Sequence, residues 1–486
     1  MTAPVGYAAT QQRLFGDFPI LAELAKHRPA DIAQLVQTVR NYAEFNARHV
    51  IPQALAIDRR IERDTDYFPW DLVRAGLPYR MLSMAIPKSV GGVGGLALLS
   101  AIGLEELCAA CAGVATIFGA HGLGVAPLLV AGAVGHWEGP LREVVEAEKR
   151  GRPLLMATAI TEPSAGTDVE EPHLLQKARL GMHAKRVDGG YLLNGRKCFI
   201  SNGSVAKYTV VCTATDRSRP VETFTTFIVD RDMPGFQVGR IEHKMGQRAC
   251  PAAELEFTDC FVPDDYVVGD VGDGMQPGTL LVLAASRAPV GGIGTGIARG
   301  AYEWFSRWAE RRHNGHRPAD DPRIQMAMAE MLSAIQVSRW AYVNAALAFD
   351  NSLGAALNTP LVKSLAYIPR FVRTSRAYKR FCGSPFGKRF IRGMVAKSTT
   401  SDAVTQALGH ASMAKAVGGD TAMAVTSRAL SLMGTAPSEE RMWVEKGLRD
   451  AKLTQIFEGT NQLNRLTLYE TRIAGGLRVE LSRATA

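Results

Sequence analysis

The sequence predicts an α+β multidomain protein, with an N-terminal helical domain, a middle antiparallel β domain and a C-terminal helical bundle. Three observations lead there. Apolar residues recur at helical spacing from about Asp31 to Gly151. Between about Leu154 and Val268 the period drops to two, with turn residues at short intervals. After Gly274 the helical period returns and holds nearly to the end. The expected units are an extension over 1–30, a helical domain over 31–153, a β-barrel-like domain over 154–275 and a helical bundle over 276–486, with a basic insert at about 355–409. With 486 residues, 47% hydrophobic and 21% charged, the chain can bury several cores, which excludes a disorder-dominated protein.

The first domain rests on runs such as Ile32-Leu35-Val39-Tyr42-Phe45, punctuated by Pro52, Pro69, Pro87 and the Gly91–Gly95 cluster. Ala115–Val134 is apolar enough to raise the question of a membrane span. His121, Pro127 and several glycines interrupt it, so it reads as a buried helix-turn-helix. In the β domain, Tyr208–Cys212, Thr223–Val229 and Glu254–Phe257 carry β-rich runs, and Asn194-Gly195 is a hairpin turn signal. In the bundle, Gly292-Ile293-Gly294-Thr295-Gly296 could pass for a dinucleotide fingerprint. No strand with a ribose-binding acid follows and helical spacing runs on both sides, so these glycines read as close helix packing.

Seven cysteines, an odd number scattered from Cys108 to Cys382, do not resemble a disulfide framework. Cys108 and Cys111 form a CxxC without a second pair or a histidine at zinc spacing; they read as core residues, and no metal site is expected. The first residues lack a basic stretch followed by an apolar run, so a cytoplasmic protein is expected.

One segment breaks the charge balance. Between Asp350 and Asp402 there is no acidic residue, while Lys363, Arg370, Arg373, Arg376, Lys379, Arg380, Lys388, Arg389, Arg392 and Lys397 supply ten positive charges against a net +9 for the whole chain. Tyr367, Phe371, Tyr378, Phe381, Phe386 and Phe390 are interleaved, and Pro369, Pro385 and Gly387 break the segment into short helices. Four readings stay open: a surface excursion without a partner, an anionic-membrane contact through 360–398 on the inner face of the membrane, an acidic protein partner, or a nucleic-acid patch, which is the least expected.

Near the C-terminus, Ile456-Phe457-Glu458-Gly459-Thr460 places one carboxylate in an apolar hinge between two helices. Such surroundings raise a carboxylate's pKa toward that of a useful general base, whereas a solvated glutamate before a Gly-Thr turn would have no such role. Ala159-Ile160-Thr161-Glu162-Pro163-Ser164-Ala165-Gly166-Thr167-Asp168 supplies small residues and hydroxyls suited to close backbone approach to a flat ring, or to a plain turn between strands.

Together with Asn194–Gly203, Lys244–Arg248, Phe257–Pro263, Ile86–Gly94 and Glu105-Glu106-Leu107, these motifs stand in the order found in the acyl-CoA dehydrogenase flavoprotein family, which the chain resembles from about 31 to 475, the basic insert apart. The resemblance implies that fold and an FAD cofactor. It implies FAD contacts at Thr158, Ile160, Thr161, Gly166, Thr167, Phe199, Ile200, Ser201, Thr460 and Gln462, with Phe199 packed on the flavin ring and Ser201 near its reactive nitrogen. Substrate contacts would come from Thr167, Ser286, Arg287, Phe457 and Gly459. Some subfamilies carry their catalytic glutamate where Ser286 stands; this chain carries Glu458 instead.

The implied reaction is removal of the α proton of an acyl-CoA thioester by Glu458, with hydride passing from the β carbon to flavin N5 and electrons passing on to an electron-transferring flavoprotein. The Glu458 backbone N–H would join a flavin hydroxyl at the thioester carbonyl, and donors of this kind are each worth about 3 kcal/mol. Family dimers and tetramers hold the FAD adenosine end with a neighbour's Arg-x-Thr-Phe-Gly loop and Gln-x-x-Gly-Gly turn. Here Arg311–Gly315 and Ser431–Thr435 align with these, keeping Arg311 and Gly315 and placing His313 and Gly434 at the contact, but losing the Thr, Phe and Gln. A homodimer or homotetramer is expected, with a homologous second subunit as the variant. Acyl-CoA oxidase or flavin monooxygenase chemistry, and a DNA-associated flavoprotein of the alkylation-response type, are the alternatives.

Overall fold

The computed structural model describes residues 6–131, 134–313, 315–354, 368–373, 375–384, 386–387, 390 and 399–481. Of the basic-insert residues named above, Lys363, Tyr367, Pro385, Lys388, Arg389, Arg392 and Lys397 lie outside the described residues, as does Asn314 of the Arg311 loop.

The N-terminal helices are α1 (Tyr7–Asp17), α2 (Ile20–His27), α3 (Pro29–Phe45), α4 (Ala54–Arg63), α5 (Trp70–Gly76), α6 (Ala97–Ala110), α7 (Ala112–Val130) and α8 (Arg142–Lys149). Residues 6–30 fold back onto this domain: Leu14, Phe18 and Leu21 are buried, and Arg13 reaches Glu106 at 2.8 Å. α6 is buried nearly all round, as a helix apolar on every face must be. Its two acids are matched inside the core. Glu105 accepts from Arg339 at 2.8 Å and from the Tyr342 hydroxyl at 2.5 Å, and Glu106 meets Arg299 at 3.1 Å.

The helix-turn-helix expected over Ala115–Val134 is instead one continuous helix through Val130. Pro127 sits in its last turn, and the glycines serve packing: a Cβ on Gly124 would meet the Met156 Cβ at 2.7 Å. α7 and the run Gly274–Glu310 are long and apolar enough to cross a membrane, and both are mostly buried inside the protein.

Two four-stranded sheets form the middle region, in the orders β1-β4-β5-β8 and β2-β3-β7-β6. The strands are β1 (Met156–Ala159), β2 (His183–Val187), β3 (Gly190–Ser201), β4 (Tyr208–Ala214), β5 (Phe224–Asp230), β6 (Phe236–Ile241), β7 (Ala252–Pro263) and β8 (Val267–Val268). The region is not wholly antiparallel, because β1 pairs with β4 in parallel. Between them the chain leaves to build β2 and β3 in the other sheet, the long crossover that parallel pairing requires.

Asn194-Gly195 is not the hairpin turn either. It lies inside β3 at a register shift against β7, with Gly195 at φ +125°, and Asn194 Nδ2 donates to Asp259 Oδ1 across the strands at 3.0 Å. The β2–β3 turn is Asp188-Gly189, where Gly189 takes φ +73°.

The C-terminal helices are α9 (Leu280–Glu310), α10 (Pro322–Phe349), α11 (Arg370–Arg373), α12 (Arg376–Gly383), α13 (Ser401–Met433), α14 (Glu439–Thr454) and α15 (Asn461–Tyr469). α9 is the axis of the molecule, and its glycines allow close packing on two sides. A Cβ on Gly292, Gly296 or Gly300 would strike the carbonyl oxygens of Ala101, Glu105 and Ala109 on α6. One on Gly291 would lie 2.8 Å from the Ala414 oxygen on α13. Cys108 and Cys111 are buried in the core as free thiols, and burial pushes both up.

Candidate active site

α14 ends at Thr454, and the chain turns through two consecutive left-handed residues, Glu458 at φ +56° and Gly459 at φ +76°, before Thr460 caps α15 by accepting from the Leu463 N–H at 3.2 Å. A glutamate held in that region is strained, and the strain persists only where neighbours over-determine it. They do so here. Asn464 Nδ2 donates to the carbonyl oxygens of Glu458 (3.1 Å), Gly459 (3.0 Å) and Thr460 (3.0 Å). From α13, Lys415 Nζ donates to the Gly459 oxygen at 2.5 Å and to Asn461 Oδ1 at 2.8 Å.

The half-buried Glu458 carboxylate accepts from Ser286 Oγ at 2.8 Å. Burial pushes its pKa above the usual carboxylate range, against the opposing pull of the Ser286 hydroxyl and of the Arg287 and Lys415 charges. Behind it Arg287 is fully buried, donating to Glu170 Oε2 at 2.9 Å and to Ser412 Oγ at 2.8 Å. Burial raises Glu170 to about 7, with the Glu458 charge adding and Arg287 opposing. Burial likewise lowers Lys415 to about 7, with Arg287 adding.

A cavity of about 780 Å³ joins this hinge to the edge of the β region. Thr158, Ile160, Thr161, Gly166, Thr167, Phe199, Ile200, Ser201, Ser286, Phe457, Glu458, Gly459 and Thr460 all line it. Phe199 is held at φ +58° and is 61% exposed into it. A Cβ on Gly166 would meet nothing within 4 Å. The loop carrying Thr161 is fixed by a buried Lys197–Glu162 pair at 2.8 Å, with Lys197 also donating to the Ile160 oxygen at 2.7 Å. Leu104, Leu107, Phe118, Val290 and Ile293 give the cavity an apolar wall.

Arg287 stands just behind the lining, while Arg311, His313, Gly434 and Gln462 do not line the cavity. Arg311 pairs with Glu440 at 2.5 Å, His313 Nε2 meets the Trp308 oxygen at 2.9 Å, the Gly434 oxygen accepts from Arg441 at 2.7 Å, and Gln462 is exposed. Sequence reading missed Glu170, Ser412, Lys415 and Asn464. Lys415 left a signal: it falls one turn and two turns past Ala411 and Leu408, on the buried face of α13.

Three family models match the chain: the acyl-CoA dehydrogenase N-terminal domain over 30–134, the middle domain over 157–260 and the C-terminal domain over 276–368 and 391–472. The chain is 30% identical over 435 residues to a cyclohex-1-ene-1-carbonyl-CoA dehydrogenase of Syntrophus aciditrophicus, covering 89% of this chain and 87% of that protein. It is also 30% identical over 434 residues to a short-chain specific acyl-CoA dehydrogenase of Clostridium acetobutylicum, covering 89% and 95%. Among solved structures, butyryl-CoA dehydrogenase from Megasphaera elsdenii superimposes with a TM-score of 0.68 at 24% identity, covering 90% of this chain and 97% of that one. The chain belongs to the acyl-CoA dehydrogenase family, whose members are flavoprotein oxidoreductases.

Proposed function

We propose that the chain binds FAD and removes the α and β hydrogens of an acyl-CoA thioester, with Glu458 as the base. The observation that carries this reading is a half-buried carboxylate on a clamped left-handed turn, facing a cavity that it shares with Thr161, Phe199 and Ser201. An exposed aromatic, hydroxyls and an unobstructed glycine on one cavity wall suit a flat, polar-edged ring system, so the residues fit the flavin. When bound, the flavin supplies the hydride acceptor.

Glu458 takes the α proton. Its raised affinity for protons matches that task, and Ser286 holds one carboxylate oxygen so that the other is aimed. Among the described residues no acceptor takes the Glu458 backbone N–H, which leaves that donor for the thioester oxygen. The apolar wall suits an uncharged acyl group. Electrons then pass to an electron-transferring flavoprotein. Arg311, His313, Gly434 and Gln462, which do not line the chain's own cavity, serve a neighbouring subunit's FAD in a homodimer, homotetramer or hetero-oligomer.

Anaerobic titration with short, long, branched and cyclic acyl-CoAs, following flavin bleaching, tests this. One class bleaches the wild type, while Glu458→Gln stays yellow and unbleached. A wild type that no acyl-CoA bleaches overturns the reaction, and Glu458→Gln bleached at the wild-type rate overturns the base.

A further inference from the structure

The described part of the basic insert is fastened to the N-terminal domain by one buried side chain. Arg373 donates to the Ser89 oxygen at 2.8 Å and to the Ile368 oxygen at 2.9 Å, and pairs with Glu138. Cys382 is buried too, with its Cβ 3.5 Å from where Gly135 would carry one. These contacts fix which face turns outward. Phe386, Phe390 and Phe381 are exposed by 71%, 51% and 43%, with Arg376 and Arg380 exposed on the same helix as Phe381. Phe381 and Phe386 pack edge to face with ring centroids 6.1 Å apart.

We propose that α12, with Phe386 and Phe390 beyond it, forms a reversible docking surface for an anionic lipid bilayer. Large exposed apolar side chains gathered on one face mark an interaction site. Without an acid between Asp350 and Asp402, the segment carries no counter-charge of its own, so its complement is anionic. Phenyl rings beside guanidinium groups match the boundary of a bilayer, where rings reach the acyl layer and arginines meet phosphates. Duplex nucleic acid offers phosphates but nowhere to bury three phenyl rings.

The insert also starts beside the cavity. The Asp350 carboxylate, at its root, accepts from the Ala97 and Leu98 N–H groups at 2.9 and 3.0 Å, and Ala97 lines the cavity. The proposal does not depend on the catalytic reading.

The test is sedimentation of the full-length holoprotein with vesicles of phosphatidylcholine alone and of phosphatidylcholine with phosphatidylglycerol, at low and high salt. The protein partitions onto the anionic vesicles and much less onto neutral ones, and salt weakens it. Arg376→Ser with Arg380→Ser lowers the partition coefficient about thirtyfold, the factor two basic side chains contribute at an anionic surface. Phe386→Ser with Phe390→Ser abolishes binding while circular dichroism and melting temperature stay at wild-type values. Equal binding to neutral vesicles, no sedimentation with either, or phenylalanine variants that bind like wild type would each overturn it. Retention by duplex DNA with no vesicle binding would hand the surface to nucleic acid instead.

Discussion

Ser286 Oγ and Glu458 Oε2 meet at 2.8 Å, although 172 residues separate them in the chain. The two positions at which the family resemblance leads one to expect a catalytic glutamate therefore face one point in space. If Glu458 is the proposed base, a base removed from the hinge should be replaceable from α9. Glu458→Ala should lower turnover by about 10²–10⁴-fold, the usual share of a general base. Adding Ser286→Glu to that variant should return part of the lost rate. The check is acyl-CoA-dependent reduction of an artificial dye, with both variants retaining bound flavin.

The buried Arg287–Glu170 pair is expected to show strong coupling. Above about pH 7, where Glu170 is charged, Arg287→Met leaves it without its cation and should cost about 3–5 kcal/mol, whereas Arg287→Met with Glu170→Met should recover most of it. Urea unfolding of both single variants and the double variant measures the cycle.

Catalysis should show an acid limb above the pH at which an ordinary glutamate titrates. As the proposed base, Glu458 would work only when deprotonated, and burial raises its pKa, so kcat/KM should rise with pH through that raised value. Lys415 favours the charged carboxylate, so Lys415→Gln should move the limb to higher pH. A pH–rate profile of the two proteins decides.

Stability should carry a matching signature. Glu170 keeps its proton up to about 7 in the folded protein, against 4.5 for an ordinary glutamate, so the folded state binds more protons across that window. The contribution is therefore full below about 4.5 and lost as pH rises through about 7. Glu170→Gln should flatten this limb in thermal melts taken from about pH 4.5 to 8.

Gly296→Ala should destabilise the protein by about 1–3 kcal/mol, the usual cost of overpacking, because its Cβ would strike the Glu105 carbonyl and lie 2.7 Å from the Cys108 Cβ. Gly122→Ala, whose Cβ would meet nothing within 4 Å, is the control.

Local pattern carried much of the architecture. The change of apolar period placed the β-rich stretch between helical ones, and the glycine run on α9 read as helix packing because helical spacing continued through it. Asn194-Gly195 misled because a turn-forming dipeptide also suits a bulge, and nothing local says which strand lies opposite. Ala115–Val134 misled because glycines that break a solvated helix are tolerated where neighbours press against the backbone.

By itself, the sequence determined the helical–β–helical order, the flavoprotein-like motifs and the single glutamate at the Glu458 hinge, since each is written in contiguous residues. Only the tertiary structure decided what surrounds that glutamate. Glu170, Ser286, Arg287, Ser412 and Lys415 come from three distant stretches, and their shared burial sets the charges around the hinge. Electrostatic coupling depends on distance in space and on exclusion of water, and neither can be read along a chain until it has folded.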